Sequence, residues 1–336
     1  MGVKITLSTE GFDCFYDVFN TKKVLKKQDI EILFNTFSYE KMIKLFGKNV
    51  GLTKREHWVN LFYEAYCRHL KLIESNIEKD PIKENIIDSV LWALNNFESL
   101  YANVERIKEI INEKDFISKA LKYLPVLDSD IEIDMELYIF MNNACVEKGQ
   151  VLLDVSFLSQ LNEEQVNDLL AHELHHYMKS HIRGIYKQTK EGHEDVVKSL
   201  FALENEGIAD MCSFKGLSFI YEFLGFMEKV LMEDVLNNPV SYMKKFGEML
   251  KNKLEFQKES INLYDFLMRN QIIHPLGYSM GRNIEDVFGL DELKSCVGNP
   301  FKFLLKYHHS IEIKNGEKIL DGKTIEYLDN IYSDSI

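Results

Sequence analysis

The chain has 336 residues, of which 46% are hydrophobic, and its formal net charge at pH 7 is −13. This length allows one large domain or two or three modules that share a cleft, and the hydrophobic fraction is ordinary for a globular protein. Binding to nucleic acid requires lysine and arginine concentrated on one surface, so the acidic balance argues against a nucleic-acid partner.

The cysteines and the first residues bear on the cellular compartment. The five cysteines are far apart, odd in number and form no CxxC pair, so we interpret them as reduced thiols and expect no cysteine metal site. Residues 1–15 lack the charged start, apolar stretch and cleavage site of a secretory signal. No apolar run approaches the roughly 18 residues of a membrane span. We therefore expect a soluble, cytoplasmic protein without a membrane span.

Residues 1–125 are predicted to form a helical N-terminal region. The stretches 58–77 and 81–111 contain no glycine and repeat apolar residues every three or four positions. Asp80 and Pro81 suit a helix start, because aspartate caps a helix and proline fits its first turn. Six phenylalanines are interpreted as core residues: Phe12, Phe15, Phe19, Phe34, Phe37 and Phe46. We assign this region no chemistry.

The pattern changes after Pro125. Apolar residues alternate with acidic ones over 131–135, and the short runs 137–141 and 151–157 are rich in strand formers. Between them, residues 147–150 have the composition of a turn. These runs predict a small antiparallel sheet packed on the helix that follows. Its edge strand either binds an extended peptide or merely completes the core.

Residues 162–180 are predicted to form an amphipathic helix. The segment contains neither glycine nor proline, and Asn162 followed by Gln165 has the capping-box pattern. Glu163 and Glu164 lie in the first turn, where the helix dipole favours negative charge.

This helix carries the stretch whose residue types and spacing dictate a chemistry, HELHH from His172 to His176. Four residues make about one turn, so the two imidazoles share a face and are able to hold one Zn²⁺. With a third ligand, one position remains for water, which the metal acidifies and Glu173 deprotonates for attack on a carbonyl. These side chains border the apolar face, away from Lys179, so we expect a half-buried site. The alternative is an ordinary amphipathic helix with surface histidines.

A second helix is predicted over residues 194–214. Glu206 and Asp210 are four apart and share a face, so Glu206 is able to reach the metal as third ligand while Asp210 accepts a hydrogen bond from a ligating imidazole. Gly207 in mid-helix costs up to about 1 kcal/mol relative to alanine, which close approach to another element, here expected to be the metal helix, would compensate. The alternative is a solvated acidic face, and Glu204 is the fallback ligand.

The remainder of the chain is predicted to be largely helical. In the segment 274–282 a proline suits the first helical turn, and two glycines give a flat face with His274 and Tyr278 beside it. Residues 311–336 contain Asn-Gly and Asp-Gly turns and are predicted to form a small hairpin or surface excursion. The histidine pair at 308–309 is expected to be exposed.

These motifs resemble those of the zincin metallopeptidases, in particular the Glu-zincins typified by thermolysin, neprilysin and the M1 aminopeptidases. HELHH is followed after 29 intervening residues by EGIAD at 206–210, and the order of strands, metal helix and glutamate helix is similar to theirs. The resemblance covers about residues 131–290. The chain does not look like a metzincin, because Lys179 and Ile182 occupy positions where that pattern needs glycine and histidine. It looks most like uncharacterised bacterial families assigned as zinc-dependent proteases.

The sequence patterns and the resemblance together predict a predominantly helical α+β fold with three regions: a helical N-terminal region at 1–125, a zincin-like core with the sheet at 126–215 and a helical C-terminal lobe at 216–336. The first 125 residues lie outside the resemblance. It implies one zinc ion per chain with the following residues: ligands His172, His176 and Glu206, general base Glu173, and Asp210 behind an imidazole. In related enzymes a histidine or tyrosine of a later helix stabilises the oxyanion, and here His274 ranks first and Tyr278 second.

The expected function is that of a zinc-dependent metallopeptidase acting on a peptide or protein substrate. Two alternatives stay open. One is a catalytically inactive zinc-binding protein or a helical scaffold that carries the motif by chance. The other is a metal-dependent hydrolase of a non-peptide amide or ester.

Overall fold

The computed structural model describes residues 2–73, 80–182, 192–223, 225, 227–256 and 261–333. These residues form a predominantly helical α+β fold with one small sheet, which confirms the predicted fold class. The chain divides into two compact units, residues 1–115 with 129–167 and residues 116–128 with 168–336. The predicted boundaries near residues 125 and 215 stay a prediction.

The first unit contains four strands and seven helices within its described residues. In chain order these are β1 (Val3–Ser8), α1 (Glu10–Phe19), α2 (Lys27–Glu31), α3 (Phe37–Phe46), α4 (Arg55–His69), α5 (Pro81–Asn95), α6 (Leu100–Glu113), β2 (Ile131–Tyr138), β3 (Ala144–Glu147), β4 (Gln150–Asp154) and α8 (Val155–Leu158). Two further helices, α7 (Asp115–Lys122) and α9 (Glu163–Lys179), begin in this unit and continue into the second.

The helix signals of the N-terminal region are partly confirmed. Asp80 caps α5 by accepting from the backbone N–H of Ile82. The long helix predicted over 81–111 is wrong, because it breaks at Asn96 into α5 and α6. Phe37 is 71% exposed, whereas the other five phenylalanines are buried, because α3 turns Tyr39, Met42 and Phe46 inward instead. Of the helix predicted over 58–77, residues 74–79 lie outside the described residues.

The sheet has the strand order β1-β2-β4-β3 and is mixed. β1 and β4 both pair parallel to β2, and only β3 and β4 form an antiparallel hairpin. The prediction of an antiparallel sheet is therefore wrong for two of the three strand pairs. β1 comes from a region predicted to be helical, and β4 runs parallel to β2 because the chain reverses direction twice between them, once before β3 and once after it. The hairpin turn is where the sequence predicted it, with Lys148 at φ 47° and Gly149 at φ 82°. Packing of this sheet on the metal helix stays a prediction.

The second unit is helical throughout its described residues. Besides α7 from Phe116 and α9 from Asp168, it contains α10 (Glu194–Asp210), α11 (Phe214–Phe223), α12 (Lys229–Asn237), α13 (Pro239–Phe256), α14 (Leu263–Arg269), α15 (Ile273–Phe288), α16 (Leu290–Lys294), α17 (Pro300–Asn315) and α18 (Gly322–Ser333). The C-terminal hairpin prediction is wrong. Leu328 and Ile331 belong to a buried helical face of α18, and this spacing outweighs the two turn signals.

Two predictions about individual residues have clear outcomes. His309 is exposed as expected, but His308 is 2% exposed, so its prediction is wrong. All five cysteines are free thiols.

Among the described helices, none combines the length and the apolar character needed to cross a bilayer.

Candidate metal centre

Helix α9 presents His172 and His176 from one face. Its N-terminus is formed by the capping box predicted from the sequence: the backbone N–H of Gln165 donates to Asn162 Oδ1, and that of Asn162 donates to Gln165 Oε1, each at 2.9 Å. One helical turn separates the two histidines, and their Nε2 atoms lie 3.0 Å apart. Both imidazoles therefore direct the same nitrogen toward one point.

Helix α10 brings Glu206 to that point. Its Oε2 lies 3.3 Å from Nε2 of His172 and 3.2 Å from Nε2 of His176. A tetrahedral zinc ion with bonds of about 2.0–2.1 Å spaces its ligand atoms about 3.3 Å apart, so the three atoms have the spacing that zinc requires. The exposed side-chain fractions are 6% for His172, 15% for His176 and 26% for Glu206, so the site is mostly buried and open on the Glu206 side.

The Glu206 carboxylate is held from behind. Its Oε1 accepts from Nδ2 of Asn205 at 3.0 Å, and Oδ1 of Asn205 accepts from Nζ of Lys179 at 3.0 Å. Lys179 is 3% exposed, so its expected position on the solvent side of α9 is wrong. Its ammonium also donates to Glu204. These contacts leave Oε2 of Glu206 free to face the two imidazoles.

Glu204, the fallback ligand, lies elsewhere. It is fully buried, pairs with Lys179 through one oxygen, and accepts from the backbone N–H of Gly298 at 2.9 Å through the other. Both oxygens are thus engaged away from the imidazoles. Glu204 joins α9 and α10 to the segment that precedes α17, and its oxygens are not directed at the imidazoles.

Asp210 lies at the centre of a buried polar cluster. Its Oδ1 is 3.0 Å from Nδ1 of His172 and accepts from the hydroxyl of Tyr221 at 2.6 Å, while its Oδ2 is 3.1 Å from Nδ1 of His274. Burial alone would raise the pKa of Asp210, but the two imidazoles outweigh it and hold the pKa below its usual value. The carboxylate therefore stays ionised and is able to fix the ring of His172.

The electrostatic environment favours positive charge at the point where the three ligand atoms converge. Burial disfavours a charged His172, yet the Asp210 and Glu206 carboxylates raise its pKa well above the ordinary value. The same carboxylates would stabilise a divalent cation, which replaces the proton and needs neutral imidazoles as ligands. The donor set of two imidazoles and one carboxylate is one that zinc commonly takes. These residues fit a zinc ion.

Glu173 follows the first ligand directly on α9. It is 9% exposed, and burial raises the pKa of its carboxyl group. The nearby imidazoles of His172 and His176 oppose this rise. A carboxyl group in such surroundings has a proton affinity closer to that needed for proton transfer at neutral pH.

His274 and Tyr278 lie on α15 but have different surroundings. The imidazole of His274 lies 6.0 Å from that of His172 between ring centroids and packs on Tyr221 at 4.3 Å. The ring of Tyr278 instead stacks on Phe214, with centroids 3.9 Å apart. The structure thus brings His274 into the polar cluster, whereas the described contact of Tyr278 is an aromatic one.

Tyr221 is the member of the cluster that sequence reasoning missed. It lies on α11, is 6% exposed, and donates its hydroxyl proton to Asp210. Tyrosine hydroxyls buried in a core generally find such a partner. The available signal was its position, eleven residues after Asp210 on the next helix, and this spacing alone does not separate it from a core aromatic.

The glycine of α10 packs against a different helix from the one expected. A Cβ placed on Gly207 would lie 2.4 Å from the carbonyl carbon of Gly277. The expected contact of Gly207 with the metal helix is therefore wrong, and α15 is its partner. This close crossing places His274, near the start of α15, beside Asp210 of α10.

Comparison with known proteins agrees with this geometry. No curated protein and no solved structure matches the chain. One family matches residues 30–316, which is well over half of the chain and includes every residue of the cluster described above. The chain therefore belongs to the family described as "Putative zinc dependent peptidase (DUF5700)".

Proposed function

We propose that the chain is a peptidase that holds one zinc ion through His172, His176 and Glu206 and hydrolyses peptide bonds in a peptide or protein substrate. The observation that carries the proposal is the convergence of three ligand atoms, all within 4.8 Å of one another, from two helices. A third ligand that is a glutamate from a separate helix also favours the Glu-zincin class.

A zinc ion bound there would acidify a water molecule and polarise the substrate carbonyl. Glu173 acts as general base: its carboxylate takes a proton from the attacking water and passes it to the leaving amine. The C–O bond forms first and gives a tetrahedral oxyanion, and the C–N bond breaks once the amine has received the proton, so one water is consumed per bond cleaved. The buried position of Glu173, which raises its pKa, supports this proton-carrying role.

Two groups position the ligands. Asp210 holds Nδ1 of His172 and so presents Nε2 to the metal, and Asn205 orients Glu206 in the same way. We also propose that a donor from α15 stabilises the oxyanion, with His274 ranked before Tyr278 because His274 lies in the polar cluster.

Elemental analysis of purified protein tests the metal site. We expect about one zinc per chain in the wild type and loss of zinc in His176→Ala, because two remaining ligands bind weakly. His181→Ala is the matched control, since this histidine is exposed just beyond the end of the same helix. Equal zinc in wild type and His176→Ala, or zinc in neither, contradicts the proposal and favours a scaffold protein.

Digestion of a peptide mixture tests the reaction separately. Zinc-loaded wild type should cleave peptides, with products identified by mass spectrometry. A protein that binds zinc and cleaves no peptide is instead an inactive zinc-binding protein. Cleavage of simple esters or non-peptide amides, without peptide cleavage, would assign the other class of hydrolase.

A further inference from the structure

A cavity of about 420 Å³ adjoins the metal centre on the side where Glu206 is exposed. This volume lies within the usual range for ligand sites. Glu206 and His274 form part of its wall, so the cavity borders the proposed reaction centre. A side chain of a molecule held at that centre would therefore be able to enter it.

The rest of the wall is largely apolar. Met227, Leu267, Met268 and Ile273 line it, and no lysine or arginine is among the described lining residues. No lysine or arginine of the described wall would pair with an acidic side chain, and either an acidic side chain or a lysine would bury its charge among the apolar atoms of the four residues named above. Apolar side chains fit without this cost. The two methionines are flexible enough to adapt to different apolar shapes.

Ala202 has a special place in this wall. It precedes Glu206 by four residues on α10, so its side chain shares the face that carries the metal-facing carboxylate. Its methyl group is the smallest side chain of the wall apart from Gly225. A larger residue here would occupy the cavity next to Glu206 without disturbing the helix, since Ala202 is only partly buried.

We propose that this cavity binds an apolar side chain of the substrate, next to the bond that is cleaved, and that Ala202 sets its depth. The inference rests on the proposed peptidase function for the identity of the substrate. Ala202 is a specificity-determining residue and takes no part in the chemistry. Large apolar residues such as leucine and phenylalanine should be accepted, and acidic residues should be rejected.

The test measures binding, so that it does not depend on turnover. Peptides Ala-Ala-Xaa-Ala-Ala with blocked ends and Xaa as Leu, Phe, Ala or Asp are titrated by calorimetry into zinc-loaded Glu173→Gln, which should leave them intact. We expect the Leu and Phe peptides to bind about tenfold or more tightly than the Ala and Asp peptides, as apolar pockets typically discriminate.

Adding Ala202→Phe to that background should remove the preference, leaving the Leu and Phe peptides within about threefold of the Ala peptide. Ala102→Phe makes the same change at an exposed position on α6 and should keep the preference. If Ala202→Phe fails to fold by circular dichroism, Ala202→Leu takes its place with the same expectation. Equal affinity for all four peptides, no binding of any peptide, or an unchanged preference in the Ala202 variant overturns the inference.

Cleavage by the wild type distinguishes the two proposals. Apolar preference in binding, without cleavage of any peptide, supports the pocket and contradicts the hydrolase. Cleavage without apolar preference supports the hydrolase and overturns the pocket.

Discussion

Gly207 and Gly277 touch backbone to backbone where α10 crosses α15: a Cβ on Gly207 would lie 2.4 Å from the carbonyl carbon of Gly277, and one on Gly277 would lie 2.5 Å from the carbonyl oxygen of Leu203. Neither neighbour is a side chain that is able to move aside. The crossing therefore depends on both residues lacking a side chain, and it fixes the distance between the Glu206 carboxylate and His274.

The first prediction concerns this crossing. Gly207→Ala should lower the free energy of unfolding by about 1–3 kcal/mol, because overpacking outweighs the roughly 1 kcal/mol that alanine gains in helix propensity. Zinc content should fall as well, since Gly207 lies on α10 between the proposed ligand Glu206 and Asp210. Urea denaturation measures the first effect. Gly322→Ala is the control, because a Cβ there meets nothing within 4 Å; equal loss in both variants would contradict the close-packing argument.

The second prediction concerns Asp210. Asp210→Asn keeps the shape but removes the charge that fixes His172, so zinc affinity should fall by about 10- to 100-fold. Competition with a chromophoric chelator measures the affinity. Asp234→Asn changes an exposed carboxylate on α12 and should leave the zinc affinity unchanged. Wild-type affinity in Asp210→Asn would show that the ligand ring is oriented without Asp210.

The third prediction separates metal binding from proton transfer. Glu173→Gln should retain zinc and lower kcat by at least about 100-fold, because the amide does not accept a proton from water. Zinc content and peptide turnover are measured on the same sample. Glu163→Gln, in the exposed first turn of α9, should behave as wild type. Turnover close to wild type in Glu173→Gln would exclude Glu173 as the base.

The fourth prediction addresses the oxyanion. Removal of a single donor to the oxyanion typically lowers kcat by about 10²–10³. We expect this loss in His274→Ala and a smaller one in Tyr278→Phe, whose ring stacks on Phe214. A loss of that size would leave about 1% of wild-type kcat or less. If both variants instead keep more than about a third of wild-type kcat, neither residue is the donor.

The fifth prediction concerns pH and lies away from the metal. His308 in α17 accepts at Nδ1 from the backbone N–H groups of Ile319 and Leu320, each at 3.3 Å. Burial, helped by the nearby His309, lowers the pKa of His308 below its ordinary value of 6.5. On acidification below that value the unfolded chain binds a proton that the folded chain resists, so His308 makes stability decrease as pH falls.

The measurement is the unfolding midpoint in urea at about pH 7 and about pH 5, on either side of the ordinary histidine pKa. His308→Asn keeps an acceptor that does not titrate, so it should lose less stability than the wild type over this interval. His57→Asn, at an exposed position, should follow the wild type. The same pH dependence in all three proteins would contradict the role given to His308.

Local spacing made much of the candidate site predictable. His172 and His176, like Glu206 and Asp210, are four residues apart, and a helix converts that spacing into a shared face whatever surrounds it. The capping box at Asn162 marked the helix start for the same reason: its partners are three residues apart. Such features depend on the backbone of one element alone.

Features that depend on contacts distant in sequence were not predictable. The partner of Gly207 is seventy positions away in Gly277, and any helix offering a flat face would have explained the glycine equally well. The ion pair between Lys179 and Glu204 reads in sequence as two solvated charges. Tyr221 reads as a core aromatic. Periodicity predicts which face of a helix is buried, but not which element buries it.

The sheet has a consequence for the order in which this protein takes shape during synthesis. β1 pairs in register with β2 from Val3 with Ile131 to Ser8 with Glu136, and the backbone N–H of Gly2 donates to the Asp130 carboxylate 128 positions along the chain. At about 5–20 residues per second, β1 waits roughly 6–25 s for β2. The backbone hydrogen bonds within helices α1 to α6 are local, so these helices are able to form meanwhile, and the loop-closure entropy of the sheet is paid only when β2 pairs with β1. β1 is thus synthesised well before the strand that fixes its place in the sheet.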